Sequence, residues 1–230
     1  MVWMSNRHNL RGRTEDEETF EGHNQPRFQQ HELQSTLTSD ELQTLIQASY
    51  ADLDDAEKLA KKYGYYLDKE LSNEENKVFK DRRDDDVIIG FRGTNNNQDI
   101  ATDLAIAIGL ENYTDRFDKS RSFVDKVRFK YKNNPILAIG DSLGGSIAES
   151  VGDKVDRVIT HNKGVGLGGI GKKIRKNQTD VRNDTDYISL LSKSQTGGRE
   201  KIEIKDNTSW LQPFQSHEHK HIRKLHMSRI

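Results

Sequence analysis

The stretch Pro135-Ile136-Leu137-Ala138-Ile139-Gly140-Asp141-Ser142-Leu143-Gly144-Gly145 restricts the fold more than any other part of the chain. Ile136 to Ile139 are apolar without interruption, the pattern of a short strand buried on both faces. From Leu143 the period changes, because Leu143, Ile147 and Val151 recur at helical spacing. Between the two periods lies Gly-x-Ser-x-Gly, with Ser142 at its centre. A strand that turns abruptly into a helix forces its central residue into strained backbone geometry. Glycines two positions before and after let the two elements approach. The strain lifts the serine hydroxyl clear of the sheet edge, and the helix aims its positive N-terminal end at charge developing there. Five residues of this pattern occur by chance in many chains. The flanking strand and helix are what mark this copy as a nucleophile elbow.

Composition limits the surroundings of that elbow. A chain of 230 residues makes one domain of ordinary size, with room for a polar appendage. Hydrophobic residues make up 32% and charged residues another 32%, so the core must be confined to a few strands and helix faces. No apolar run approaches the roughly 18 residues that cross a membrane. The start, Met-Val-Trp-Met-Ser-Asn-Arg-His, lacks the apolar centre of a secretory signal, so an intracellular location is the default expectation. Cysteine is absent, which excludes disulfides, thiolate catalysis and cysteine-based zinc sites. A net charge of −1 gives no general attraction to nucleic acid or to an anionic surface.

Residues 1–36 are rich in Arg, Glu, Gln, Asn and His and read as a disordered polar tail, leaving 37–230 for the folded domain. A capped helix begins at Thr38-Ser39-Asp40-Glu41. Its stripe of Leu42, Leu45, Ile46, Ser49, Leu53, Ala56 and Ala60 predicts one continuous helix ending at Tyr63-Gly64. Strands are predicted over 65–71, 77–80, 87–91, 155–160 and 201–204, with a further strand ending near Asp186. Helices are predicted over 99–108 and 114–132, the second with Phe117, Val124, Val127 and Tyr131 inward, and Asn133-Asn134-Pro135 breaks it. A terminal helix is read from His221, Ile222, Leu225 and Ile230. Buried strands alternating with helices imply an α/β fold with a mainly parallel central sheet and helices on both faces.

A serine hydroxyl needs a base, usually histidine, held by a carboxylate. After a strand–elbow the chain order is serine, acid, histidine. Asp186 suits the acid because it precedes Tyr187-Ile188-Ser189-Leu190-Leu191, where a strand-end carboxylate projects. The alternative is a loop aspartate in water. The base candidates are His217, His219, His221 and His226. His221 leads because it opens the terminal helix, with His219 as its rival. The oxyanion needs two donors: the N–H of Leu143, and a group on the loop Arg92-Gly93-Thr94, where Thr94 offers both N–H and hydroxyl.

These residues together resemble the class 3 lipase family, the fungal triacylglycerol-lipase type of α/β hydrolase. Phe91-Arg92-Gly93-Thr94 is similar to the family's Phe-Arg-Gly-Ser/Thr oxyanion loop. Asp99-Ile100-Ala101-Thr102-Asp103-Leu104 resembles the acidic-apolar segment that borders or forms its lid, with Ile100 in place of a common tryptophan. Gly140-Asp141-Ser142-Leu143-Gly144-Gly145 resembles Gly-His-Ser-Leu-Gly-Gly, with Asp141 in place of histidine, and Asp186-Tyr187-Ile188-Ser189 resembles the segment carrying the triad acid. The resemblance spans residues 40–226. It implies an α/β-hydrolase fold, hydrolysis of lipid or small acyl esters through an acyl-enzyme without a cofactor, and contact with a lipid surface.

Rival readings rest on other residues. Gly164-Val165-Gly166-Leu167-Gly168-Gly169 fits Gly-x-Gly-x-x-Gly, and Gly166 to Lys172 fits Gly-x4-Gly-Lys, both of which cradle phosphates. Lys173 stands where a magnesium-binding Ser or Thr belongs, and the stretch to Asn177 is short for a dinucleotide helix. His217-Glu218-His219-Lys220-His221 could place alternate histidines on one strand face for zinc, although Ser142 needs no metal. Lys172, Lys173, Arg175 and Lys176 offer anionic head groups a basic patch, the commoner outcome being a solvated surface. A catalytically inactive hydrolase fold kept for binding is the remaining alternative.

Overall fold

Two uninterrupted apolar strands sit at the centre of the molecule, and every other element packs around them. The computed structural model describes residues 37–94, 111–166, 169–186 and 189–205. Strands β3 (Val87–Phe91) and β4 (Ile136–Asp141) are buried at every position and pair in parallel, Ile88 opposite Leu137 and Phe91 opposite Gly140. Burial on both faces is what a run such as Ile-Leu-Ala-Ile requires. Outward on one side lie the antiparallel β2 (Asn76–Asp81) and β1 (Tyr65–Leu67). On the other lie β5 (Arg157–His161), β7 (Gln178–Asn183) and β9 (Glu200–Ile204), all parallel to β4. The sheet order is β1-β2-β3-β4-β5-β7-β9; β6 (Lys173–Ile174) and β8 (Thr196–Gly197) pair with each other beside it.

Helices cover both faces. On one, α1 (Ser39–Tyr50) and α2 (Leu53–Lys61) pack Leu42, Leu45, Ile46, Ala56 and Ala60 onto Ile88, Leu137, Ile139, Ile159 and Val181. On the other, α3 (Glu111–Lys130) and α4 (Leu143–Ser150) pack Phe123, Val124, Val127, Leu143 and Ile147 onto Val87, Ile89, Ile136, Ala138 and Val158. Arg128 of α3 and the N–H of Ile136 both bond Asp156 Oδ2 at 2.7 Å, which ties the long helix to the start of the central strand. This is the mainly parallel α/β architecture expected from the sequence.

Several boundaries differ from the periodic reading. The first helix is two helices, because Ala51 is extended (ψ 162°) and Asp52 starts a new one by accepting from the Asp55 N–H at 2.8 Å. Both halves keep the same apolar stripe, so periodicity alone could not reveal the break. The strand expected over 65–71 stops at Leu67. Asp68 Oδ1 then accepts from the N–H groups of Glu70 and Leu71 and closes a turn, as short polar side chains do. The strand expected to end near Asp186 ends at Asn183. The segment 99–108, the tail 1–36 and the terminal helix lie outside the described residues.

Candidate active site

Parallel pairing brings the C-terminal ends of β3, β4, β5, β7 and β9 to one edge of the sheet. The elbow stands there. Ser142 has φ 55° and ψ −122°, left-handed backbone that a side chain rarely adopts. Such strain costs of order 1–3 kcal/mol. Burying Leu143 and Ile147 on the helix just beyond stabilises by about 1.5–3 kcal/mol for each side chain, which is enough to hold it. The flanking glycines are required sterically: a Cβ at Gly140 would lie 2.2 Å from the Gly144 carbonyl oxygen, and one at Gly144 would lie 2.2 Å from that of Phe91.

Ser142 is only 3% exposed; its hydroxyl is buried, does not cap α4, and has no hydrogen-bond partner among the described residues. Leaving a buried hydroxyl unpaired costs about 1–3 kcal/mol. Strained backbone and a buried hydroxyl without a partner among the described residues thus coincide at one residue.

The loop after β3 lies against the elbow. A Cβ at Gly93 would be 2.9 Å from the Asp141 carbonyl oxygen and 2.3 Å from the Tyr50 hydroxyl, so only glycine lets the chain pass this close. Arg116 of α3 donates to the Arg92 carbonyl and fixes the loop from its other side. Thr94 Oγ1 is buried and unpartnered among the described residues. It and the first N–H of α4, that of Leu143, are the donors expected for an oxyanion. Thr94→Val keeps the shape and removes the hydroxyl; the expected result is kcat lower by ~10²-fold with little change in KM, read on a soluble ester. Burial first, then the nearby Asp141 carboxylate, pushes the Tyr50 phenol well above its usual range, so Tyr50 remains a neutral donor beside this loop.

Asp186 sits three residues beyond β7 and is 1% exposed, not a loop aspartate in water. Its Oδ2 accepts from the Ser189 N–H at 2.8 Å, and its carbonyl accepts from Arg182 Nη2 at 3.0 Å. Arg182 also reaches Ser189 Oγ and pairs with Glu203 on β9, so a three-part contact builds the turn that carries the acid. The Asp184 N–H donates to the Ile204 carbonyl at 2.9 Å, placing the exit of β9 next to this turn. The four histidines at 217, 219, 221 and 226 lie outside the described residues. The structure thus joins the elbow to the Thr94 loop and puts Asp186 on the same edge two strands away, while the base candidates stay unplaced.

Around the glycine loop, the described amides are used in turns: Gly169 N–H to the Gly166 carbonyl, Gly171 N–H to Ser194 Oγ, and Lys172 N–H to the Gly169 carbonyl. Strand β6 follows, not a helix, so the positive helix end that a phosphate cradle needs is missing there. Among the described residues, no cluster of three or more His, Asp or Glu is arranged to hold a metal. No described helix is long and apolar enough to cross a membrane.

Two features escaped the sequence reading. His161, the last residue of β5, bonds Asp141 through Nδ1 at 2.6 Å. Lys163, 1% exposed, is paired with Glu149 of α4 and with Asp180 of β7 at 2.7 Å. Asp141, at a position where the resemblance expects histidine, was the one sequence signal of the first. For Lys163 no sequence signal existed.

Neither protein-family profiles nor curated protein sequences yield a match to this chain. Solved structures do. Lip2 lipase from Yarrowia lipolytica is similar with a TM-score of 0.52 at 14% identity, over 72% of this chain and 77% of that one. The Rhizomucor miehei lipase, solved as a propeptide complex, is similar with a TM-score of 0.54 at 14% identity, over 80% of this chain and 81% of that one. The seven-stranded, mostly parallel sheet and its strand-to-helix elbow are therefore the α/β-hydrolase fold in the form seen in these fungal lipases.

Proposed function

We propose that this protein is a serine hydrolase that cleaves carboxylic esters of lipids or related acyl esters. The observation that carries this reading is Ser142: strained, without a hydroxyl partner among the described residues, and seated at the N-terminal end of α4 beside the Thr94 loop. The base, His221 or its rival His219, takes the Ser142 proton as Oγ attacks the ester carbonyl carbon. Thr94 and the Leu143 N–H receive the oxyanion. The imidazolium, held by Asp186, then protonates the departing alcohol and leaves an acyl-enzyme. Water activated by the same histidine releases the acid. No cofactor is needed for this sequence of steps. The structural likeness to lipases and the apolar residues Ile170 and Leu190 exposed on the loops after β5 and β7 support a lipid ester, taken from a lipid surface, as the substrate class.

The test is labelling by a fluorophosphonate, with hydrolysis of p-nitrophenyl esters alongside. Wild type is expected to label, Ser142→Ala to lose the label, and only one of His219→Ala and His221→Ala to lose it. Asp186→Asn is expected to lower kcat by on the order of 10⁴-fold, because the wrong imidazole tautomer is then favoured. Folded wild-type protein that neither labels nor turns over would leave the inactive binding fold as the reading.

A further inference from the structure

The proposed mechanism leaves unused one buried ionisable pair that lies closest to the nucleophile. Asp141 immediately precedes Ser142, and its β4 position is the register partner of His161 on β5. Their side chains share the face of the sheet covered by α1. Asp141 Oδ1 meets His161 Nδ1 at 2.6 Å, His161 is 0% exposed and Asp141 4%. One residue on, the Ser142 N–H donates to the His161 carbonyl at 3.0 Å. The two strands are thus joined by a side-chain bond just before the strained residue and a main-chain bond at it. His161 Nε2 is buried with no partner among the described residues, so among them the ring is held through its Nδ1 side. On the far side of the elbow, Ser146 Oγ bonds the Gly164 carbonyl at 2.5 Å and fixes the chain that leaves β5.

We propose that Asp141 and His161 form a cross-strand clamp that holds the Ser142 backbone in its strained conformation, both acting as positioning residues. The physical need is specific. An unrestrained serine would relax from φ 55° to ordinary backbone, and the peptide before it is the one that must be prevented from rotating. A hydrogen bond that the Asp141 carboxylate accepts from a ring itself locked by burial supplies that restraint. The Ser142–His161 main-chain bond then sets the height of the serine above the sheet. The hydrolase reading gives the clamp its purpose, but the clamp itself is a statement about the elbow and is testable without turnover.

The test compares Asp141→Leu, which keeps the shape and removes the acceptor, with Asp141→Asn, which keeps an acceptor oxygen facing Nδ1. In Asp141→Leu, hydrogen exchange at the Ser142 amide is expected to speed up and kcat to fall by ~10²-fold at unchanged KM, the cost of a misplaced reacting group. Asp141→Asn and His161→Asn, whose Nδ2 sits where Nδ1 does, are expected to restore most of both. In wild type, a strongly downfield imidazole N–H proton should be present and should vanish in His161→Asn, a signature that stands even where Asp141→Leu does not fold. Unchanged Ser142 amide exchange in folded Asp141→Leu would overturn the clamp whatever the activity, as would absence of the downfield proton. Loss of labelling in His161→Asn, with every C-terminal histidine variant still labelling, would overturn it by making His161 the base. Wild type that shows the clamp but never labels would overturn the hydrolase reading alone.

Discussion

Replacing Ser142 by glycine should abolish ester turnover and at the same time make the protein more stable. The two effects share one cause. At φ 55° and ψ −122° the serine Cβ is held against steric preference, and its hydroxyl is buried without a partner among the described residues. Glycine adopts this backbone freely and has no hydroxyl to desolvate. A gain of about 1–2 kcal/mol is expected in urea unfolding, where the strain term sets the size. Ser142→Ala removes the hydroxyl but keeps the Cβ, so it should gain less than glycine. Loss of kcat should be on the order of 10⁶-fold in both, as when the nucleophile of a triad is removed. Ser142→Gly protein less stable than wild type would show that the elbow is not strained, and the case for a nucleophile would lose its main support.

The second large effect lies beneath the site. Lys163→Met should destabilise by about 3–5 kcal/mol, since it leaves the buried Asp180 and the partly buried Glu149 without their cation. Lys163 follows β5 and reaches Glu149 on α4 and Asp180 on β7, pinning the elbow helix to two strands. The hydrogen bonds from Gln178 to Glu149 at 3.0 Å and from Thr160 to Asp180 at 2.7 Å remain, but neutral donors only partly replace an ammonium. Glu149→Gln in the Lys163→Met background should recover part of the loss, and the double-mutant cycle measures the coupling directly. A pH dependence follows. Burial alone would raise the Glu149 pKa, but the Lys163 charge and the bonds from Lys163, Gln178 and Gln195 outweigh it and hold the carboxyl below its usual range. A depressed carboxylate stabilises the fold above its unfolded pKa of about 4.3, and that contribution is lost as pH falls through the lower folded value. Urea midpoints of wild type should therefore drop as pH falls below about 4.3, and this acid limb should flatten in Lys163→Met. An acid limb as steep as that of wild type would exclude the pair as its source.

What the sequence determined by itself was local in character. The apolar runs at 87–91 and 136–139 could only be buried strands, the spacing after Leu143 could only be a helix, and the elbow between them needed Gly140 and Gly144 where they stand. The parallel architecture followed from strands alternating with helices. Periodicity carries phase and face, so it could not register the break at Ala51, where two helices share one stripe, or the turn that Asp68 closes. Tertiary structure decided what depends on residues distant in sequence. It buried Asp186 in a turn built by Arg182 and Glu203, set Gly93 against the Asp141 carbonyl, and gave Asp141 and Lys163 partners twenty and fourteen or more positions away. A polar residue in sequence reads as surface because burial without a partner is costly. Only the register of β4, β5 and β7 brings those partners together, and with them the polar interior on which the elbow rests.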